Sequence, residues 1–471
     1  MRPLDGTPKL ADRGTSAMRT AAWLAASCIS APPLVAGPQA PAGGDPAPAP
    51  APAPASVERP LEVDGTWSAS WRLRRSGEAR DQDLVSVLAF DVGRADADRV
   101  HGRFLGRITA DLDGRADAES QEFGSLQDTY DDPVHLDLYE ASVAIERAFG
   151  GPGQLRLGRQ FDYATPEYAH YDGARFESGP LGAKRVVAGA YAGVPVRLYD
   201  ATSLGDRIAG IWTEARPWKG GRARADWLHV DQDESGTGFH DDLLALSVWH
   251  RFHERLAFDA AYSRLEDDDR DVRARATYED PERGWTVVAS YYRLLTTQRD
   301  FAYEFDPFFS TLQEYRPFGD YRLLVAKSLS DEVRLEVGAD VRELDDAEDE
   351  NTLNHDYDRE WATLVLTDLL ARDLDLSLTG DRWSGSQQDA ETWGLDATWR
   401  PSAEWRASAG SAYLLYRYDV ENDVEREDVR VWYARVRKRI GAEWSFDLVY
   451  EYEHADPEDF HDFRGGITWR F

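Results

Sequence analysis

From Val333 to Arg342 every second residue is apolar or small: Val333, Leu335, Val337, Ala339 and Val341 alternate with Arg334, Glu336, Gly338, Asp340 and Arg342. This is the period of a β-strand, with the two sets on opposite faces. The charged set is the constraint. A strand with charge along one face cannot line the dry core of a β-sandwich, because unpaired buried charge is prohibitive. It can line a water-filled lumen while the other face meets something apolar. The same pattern places Trp67, Ala69, Trp71 and Leu73 against Ser68, Ser70, Arg72 and Arg74. It recurs with Val272, Ala274, Ala276 and Tyr278 against Arg273, Arg275, Thr277 and Glu279, and again from Trp444 to Glu453.

Composition agrees with such a chain. Its 471 residues include 16 Trp, 21 Tyr and 18 Phe, yet no run approaches the ~18–20 apolar residues of a membrane helix. Only alternate residues of a membrane strand face lipid, so the mean hydropathy stays low. Against 54 Lys and Arg stand 86 Asp and Glu, a net charge of −32. Nucleic acid is therefore not an expected partner, since phosphate binding needs a positive surface. The one cysteine, Cys28, falls in the N-terminal leader, which leaves no disulfide framework.

Residues 1–37 read as a leader and secretory signal peptide. Met18-Arg19-Thr20 is the expected true start, followed by an apolar run and small residues, with cleavage expected after Val35. Leu24 to Cys28 resembles a lipoprotein box only faintly, because the apolar run before it is short. Residues 38–63 form a Pro/Ala-rich, extended linker. Residues 64–471 are expected to form one β-barrel.

Alternation picks out about 22 strands between 65–74 and 462–471, roughly 18–22 if neighbours are merged. The connections fall into two sets. Ile440–Glu443, Pro401–Ala403, Leu329–Asp331 and Asp280–Gly284 are short turn sequences. Glu343–Glu360, Asp419–Asp428, Glu266–Asp271 and Gln298–Phe318 are longer, and the first three are acidic. The predicted fold class is all-β: a transmembrane, antiparallel, up-and-down β-barrel with short periplasmic turns, long extracellular loops and both termini periplasmic.

The last stretch, Phe463 to Phe471, alternates Phe463, Gly465, Ile467, Trp469 and Phe471 with Arg464, Gly466, Thr468 and Arg470. Bacterial outer-membrane β-barrels close on similar strands, and the terminal Phe471 resembles the signal read by their assembly machinery. A second segment, Gln154 to Leu198, carries Leu155-Arg156-Leu157-Gly158-Arg159-Gln160 and then Tyr171-Asp172-Gly173-Ala174-Arg175-Phe176. It resembles the Gly-Arg-Gln and Asp-Gly-x-Arg strand pair of alginate-export-type outer-membrane porins. The match is carried by Gly158, Arg159, Gln160, Asp172, Gly173 and Arg175, and the loop between the strands departs from that family's pattern. The resemblance implies an outer-membrane channel, and in that family an Arg-rich lumen conducts an acidic polysaccharide.

The expected function is a porin-like channel of the outer membrane, passing small hydrophilic solutes or an acidic polymer. Its candidate lumen and selectivity residues are Arg156, Arg159, Asp172, Arg175, Glu177, Arg273, Arg275, Arg334, Glu336, Asp340, Arg342, Asp375, Arg406, Asp447, Glu451 and Arg464. Arg159 and Asp172 are expected near the outer rim, paired across the ladder. Opposed charges across a lumen sort solutes by charge and size, and acidic loops at the mouth favour cations unless the lumen arginines dominate. No nucleophile elbow, His-Glu-x-x-His, P-loop or dinucleotide fingerprint occurs, so neither enzyme activity nor a cofactor is expected. Asp267–Asp269 and Asp345–Glu350 offer carboxylates for divalent cations but lack calcium-loop spacing, and solvated loops are the expectation. Expected partners are outer-membrane lipid and lipopolysaccharide, and the barrel-assembly machinery. An alternative reading is a sheath around a periplasmic multihaem cytochrome in an electron conduit. The aromatic stretch Asp300–Tyr321 is expected to fold inward as a constriction.

Overall fold

The computed structural model describes residues 61–77, 79–113, 133–162, 169–196, 205–232, 239–297, 316–350, 354–385, 389–419, 424–455 and 459–471. The leader, nearly all of the Pro/Ala linker and most of the aromatic stretch lie outside them.

The described residues form a 22-stranded antiparallel sheet. In chain order it begins with β1 (Val63–Ser76), β2 (Ala79–Val92), β3 (Val100–Asp111), β4 (Val134–Ala148), β5 (Gly153–Asp162) and β6 (Ala169–Glu177). Next come β7 (Val187–Pro195), β8 (Arg207–Ala215), β9 (Gly221–Gln232), β10 (Phe239–His253), β11 (Leu256–Leu265) and β12 (Asp268–Asp280). Then follow β13 (Trp285–Leu294), β14 (Phe318–Ser328), β15 (Val333–Leu344), β16 (Tyr357–Thr367) and β17 (Leu374–Gly385). The last five are β18 (Asp389–Trp399), β19 (Trp405–Asp419), β20 (Val424–Ile440), β21 (Trp444–His454) and β22 (Asp459–Arg470). Each strand pairs with its sequence neighbours, and β22 pairs with β1, so the sheet closes. At the seam Gly65 N–H donates to Phe471 O at 2.9 Å and Phe471 N–H donates to Gly65 O at 3.0 Å. Closure leaves no edge strand, which is the condition for a sheet to sit in lipid.

Because the strand count is even, the start of β1 and the end of β22 lie at one end of the barrel, called the terminus end. The four short connections named above all lie at this end, and the four longer ones lie at the other. The division is not uniform in length. At the terminus end, residues 93–99 and 178–186 make longer excursions, the second carrying a Leu181–Val186 bridge. Two acidic stretches read as loops are partly strand. β12 begins at Asp268 and β20 at Val424, because cross-strand pairing continues through their acidic residues. Likewise Phe318 to Tyr321 open β14 and are not loop.

Cross-strand partners share a face, so the register assigns every strand residue to one wall. One wall carries Leu246, Leu323, Val337, Leu378 and Leu448, all exposed. The other carries the charged set together with fully buried side chains such as Tyr171, Gln160, Leu228 and Leu243. On a closed sheet the convex side splays side chains apart and the concave side crowds them. The apolar wall is therefore the outside.

On that outer wall large aromatics gather at two levels. Near the terminus end are Phe252, Trp285, Trp399, Trp405, Trp444 and Trp469; near the loop end are Tyr321, Trp393, Trp432, Tyr452 and Phe463. From Trp444 to Tyr452 a tilted strand rises about 20 Å at ~3.3 Å per residue. An apolar band of that height between aromatic girdles matches the ~25 Å hydrophobic belt of membrane barrels. Among the described residues no helix is long and apolar enough to cross a membrane.

Candidate functional site: the charged inner wall

The inner face of a 22-stranded barrel is too wide for side chains to fill, so polar groups there can keep water contact. The register places Arg156, Arg175, Glu177, Arg273, Arg275, Arg334, Glu336, Asp340, Arg342, Asp375, Arg406, Asp447, Glu451 and Arg464 on this face. Arg159 and Asp172 are a correction: they lie on the outer wall. Their pairing is present, Arg159 donating to Asp172 at 2.7 and 2.8 Å and to the Leu138 carbonyl at 3.0 Å. The reason is parity, since Arg159 is three residues from inward Arg156 and Asp172 three from inward Arg175. Neighbouring Gly158, Gly173 and Gly193 align across β5, β6 and β7. Gly158 holds φ at +113°, and a Cβ on Gly173 would come 2.1 Å from the Ala192 carbonyl. Only glycine fits so close a backbone approach.

A charged pair on the outer wall is costly to break, because removing one partner strands the other beside lipid. Arg159→Ala is expected to destabilise the barrel by roughly 2–4 kcal/mol, read as a lower urea midpoint in vesicles. The exchange Arg159→Asp with Asp172→Arg should recover most of that loss. An unchanged midpoint for Arg159→Ala would mean the pair does no more than decorate the wall.

Many inner charges sit in pairs of opposite sign, some across strands and some along one strand. Across β14 and β15, Arg342 grips Asp320 through two bonds of 2.7 and 2.9 Å, and Arg322 pairs with Asp340. The ladder continues to β16 and β17, where Arg359 lies 3.8 Å from Asp340 and 2.8 Å from Asp381. Aromatic faces hold the guanidinium groups in plane: Phe318 under Arg342 at 4.3 Å and Trp383 under Arg359 at 4.6 Å. At the seam Asp462 accepts from Arg72 at 2.7 and 2.9 Å and from Arg464 at 2.8 Å. On β5 to β9, Arg175 meets Asp162 and Glu177, each at 2.9 Å, and Arg224 meets Asp226 at 2.6 Å. Trp212 lies against Arg175 at 5.8 Å and Arg224 at 4.3 Å. Arg334 is tied to Glu336 at 2.7 Å on its own strand, and Asp375 to Arg400. Partners such as Asp320, Arg359, Asp381 and Asp462 were not singled out from the sequence, because period 2 gives a face but not a register.

Not all of the inner wall is wet. Ala169, Tyr171, Tyr191, Ile208, Leu228, Val230, Leu243 and Leu265 form a cluster with no side chain more than 7% exposed, at the loop end of β6 to β11. Tyr171 stacks on Tyr191 at 5.0 Å. Alternation did not reveal this sector, since Leu243-Leu244-Ala245-Leu246 is apolar in both phases. On β12, β19 and β20, by contrast, Arg273, Arg275, Arg406, Arg435 and Arg437 remain exposed on the inner face. Solvent therefore reaches the wall along these later strands.

The acidic loop after β15 is partly neutralised by its surroundings. Asp345 accepts from Arg293 at 3.0 and 3.2 Å, Asp349 lies 3.9 Å from Arg316, and Asp346 caps a short 3-10 turn, Ala347–Asp349. Among the described residues no cluster of three or more His, Cys, Asp or Glu could hold a metal ion.

No family model matches the chain, and the comparison with curated proteins gave no match either. Several solved structures are similar in overall shape. The translocation pore of the P pilus usher PapC is similar at 10% identity and TM-score 0.47, covering 87% of this chain and 99% of that one. OpdK of Pseudomonas aeruginosa with vanillate is similar at 11% identity and TM-score 0.42, covering 87% and 98%. OccAB4 of Acinetobacter baumannii is similar at 9% identity and TM-score 0.38, covering 88% and 98%. Likenesses this distant carry no weight of their own, and the reading of this barrel stands on its two walls.

Proposed function

We propose that the chain is a porin-like channel of the bacterial outer membrane for small hydrophilic solutes. One observation carries the reading: a closed sheet whose outer wall is an apolar belt between aromatic girdles and whose inner wall holds solvated charges of both signs. Neither wall makes sense in a soluble fold, where exposed apolar surface of this extent promotes aggregation. In this reading the terminus end faces the periplasm and the acidic loops face outward, as the lengths of porin turns and loops dictate. The outer wall takes lipid, the loop rim lipopolysaccharide, and Phe471 the assembly machinery.

Passage of an acidic polymer, which the alginate-export resemblance implied, asks for an inner wall that is basic along its length. Here ion pairing along and across strands offsets many of the arginines, which favours short solutes oriented by local fields. The test is solute uptake by vesicles containing the folded protein. Swelling in small neutral sugars, with a size cut-off, is expected; vesicles as tight as protein-free controls would overturn the channel reading.

A further inference from the structure

We propose that the terminus-side end of the inner wall, on β18 to β22, is a capture site for a small anion bearing a carboxylate, phosphate or sulfate group. This deepens the channel reading by assigning a substrate class to one mouth.

The observation is a concentration of arginine that the rest of the chain does not predict. Net charge is −32, yet one cavity here is lined by Arg372, Arg400, Arg406, Arg437, Arg439 and Arg470, with Asp373 and Glu404 as its carboxylates. Arg406 and Arg437 are direct cross-strand partners on the inner face. Like charges directly opposite one another destabilise a sheet. Where the register elsewhere sets two inner arginines opposite each other, carboxylates take them up: Asp462 binds both Arg72 and Arg464, and the Arg156–Arg175 pair is flanked by Glu140, Asp162 and Glu177. At Arg406–Arg437 no described carboxylate does so.

Nor do ion pairs resolve the repulsion: Asp396 on β18 attracts Arg406 without forming an ion pair with it. Arg400 pairs with Asp375 and Arg372 with Asp373 at 3.4 Å, while Arg439 donates to the Ala403 carbonyl. Arg406, Arg437 and Arg470 form no ion pair with any described carboxylate, and Asp447, opposite Arg437 in the β20–β21 register, does not bridge to it. All three are exposed on the lumen side. Guanidinium forks matched to two oxygens of one anion would cancel the repulsion from outside the protein. Divalent cations and neutral sugars would not.

Position gives the site a direction. It lies at the mouth opposite the acidic Asp345–Glu350 loop, so this arginine cluster and that acidic stretch stand at opposite ends of the lumen. An anion arriving at the terminus-side mouth meets attraction, and one arriving at the loop mouth meets repulsion.

The test is isothermal titration of the detergent-folded barrel with inorganic phosphate, which needs no conduction and so stands apart from the channel reading. Phosphate should bind to the native barrel, and Arg406→Gln with Arg437→Gln should weaken it at least tenfold. The control is Arg273→Gln with Arg275→Gln, which neutralises two other exposed inner arginines of β12 and should leave binding within twofold. Equal loss in both double variants would overturn the site in favour of diffuse attraction, and so would no binding to the native barrel. In vesicles that conduct, phosphate on the terminus side should block current at a lower concentration than phosphate on the loop side; equal potency from both sides would contradict the placement.

Discussion

Leu378→Arg is expected to destabilise the barrel by about 2–4 kcal/mol, while Ser377→Arg, one residue away, should leave it near wild type. Leu378 is exposed on the outer wall at the middle of β17, with Leu364 and Leu395 as its cross-strand partners. An arginine there meets hydrocarbon on every side. Ser377 points inward with Asp396 as its partner on β18, so an arginine gains a carboxylate and keeps its water. Urea unfolding of each variant in vesicles reads the difference directly. Equal destabilisation by the two substitutions would mean the walls have been assigned wrongly or that no lipid belt exists.

Removing Trp469 to Phe471 should abolish nearly all folded barrel. Trp469 stacks on Trp444 with centroids 5.8 Å apart and faces Trp67 in the β1–β22 register. Phe471 supplies both backbone bonds to Gly65, and its ring stands where a Cβ on Gly65 would be, 2.5 Å from that position. Without these residues the terminus-side end of the seam presents unpaired N–H and C=O groups to lipid, at several kcal/mol for each group. The loss should appear on refolding into detergent or vesicles, where no assembly machinery is present, as disappearance of the heat-modifiable band on gels. Normal refolding in vitro with failure only in cells would assign the terminus a recognition role alone.

The fold was legible in the sequence because two independent signals agree. Alternation marks strands, and the alternation of short turns with longer acidic connections marks their direction. Both survive without knowledge of any neighbour, which is why strand number, closure on Phe463–Phe471 and the inward face of Arg273, Arg334 or Arg464 could be read locally. Pairing could not. Whether Asp340 meets Arg322 or some other base depends on register, which the turns and the bulges at Leu105, Arg251 and Ser263 determine. Arg159 and Asp172 show a different failure. Parity with Arg156 and Arg175 places them outside, whereas their residue types suit a wet lumen. The basic mouth was hidden for a third reason: Arg372, Arg400, Arg406, Arg437, Arg439 and Arg470 span nearly 100 residues and meet only when β17 to β22 pair side by side.

The central claim is an open, membrane-spanning pore with a charged wall, and single-channel recording of the refolded, purified barrel in a planar bilayer tests it most directly. Steady unitary conductance steps are predicted, unequal in size at opposite voltages because charge is distributed unequally between the two ends of the lumen. A folded, heat-modifiable barrel that inserts yet stays electrically silent would contradict the account.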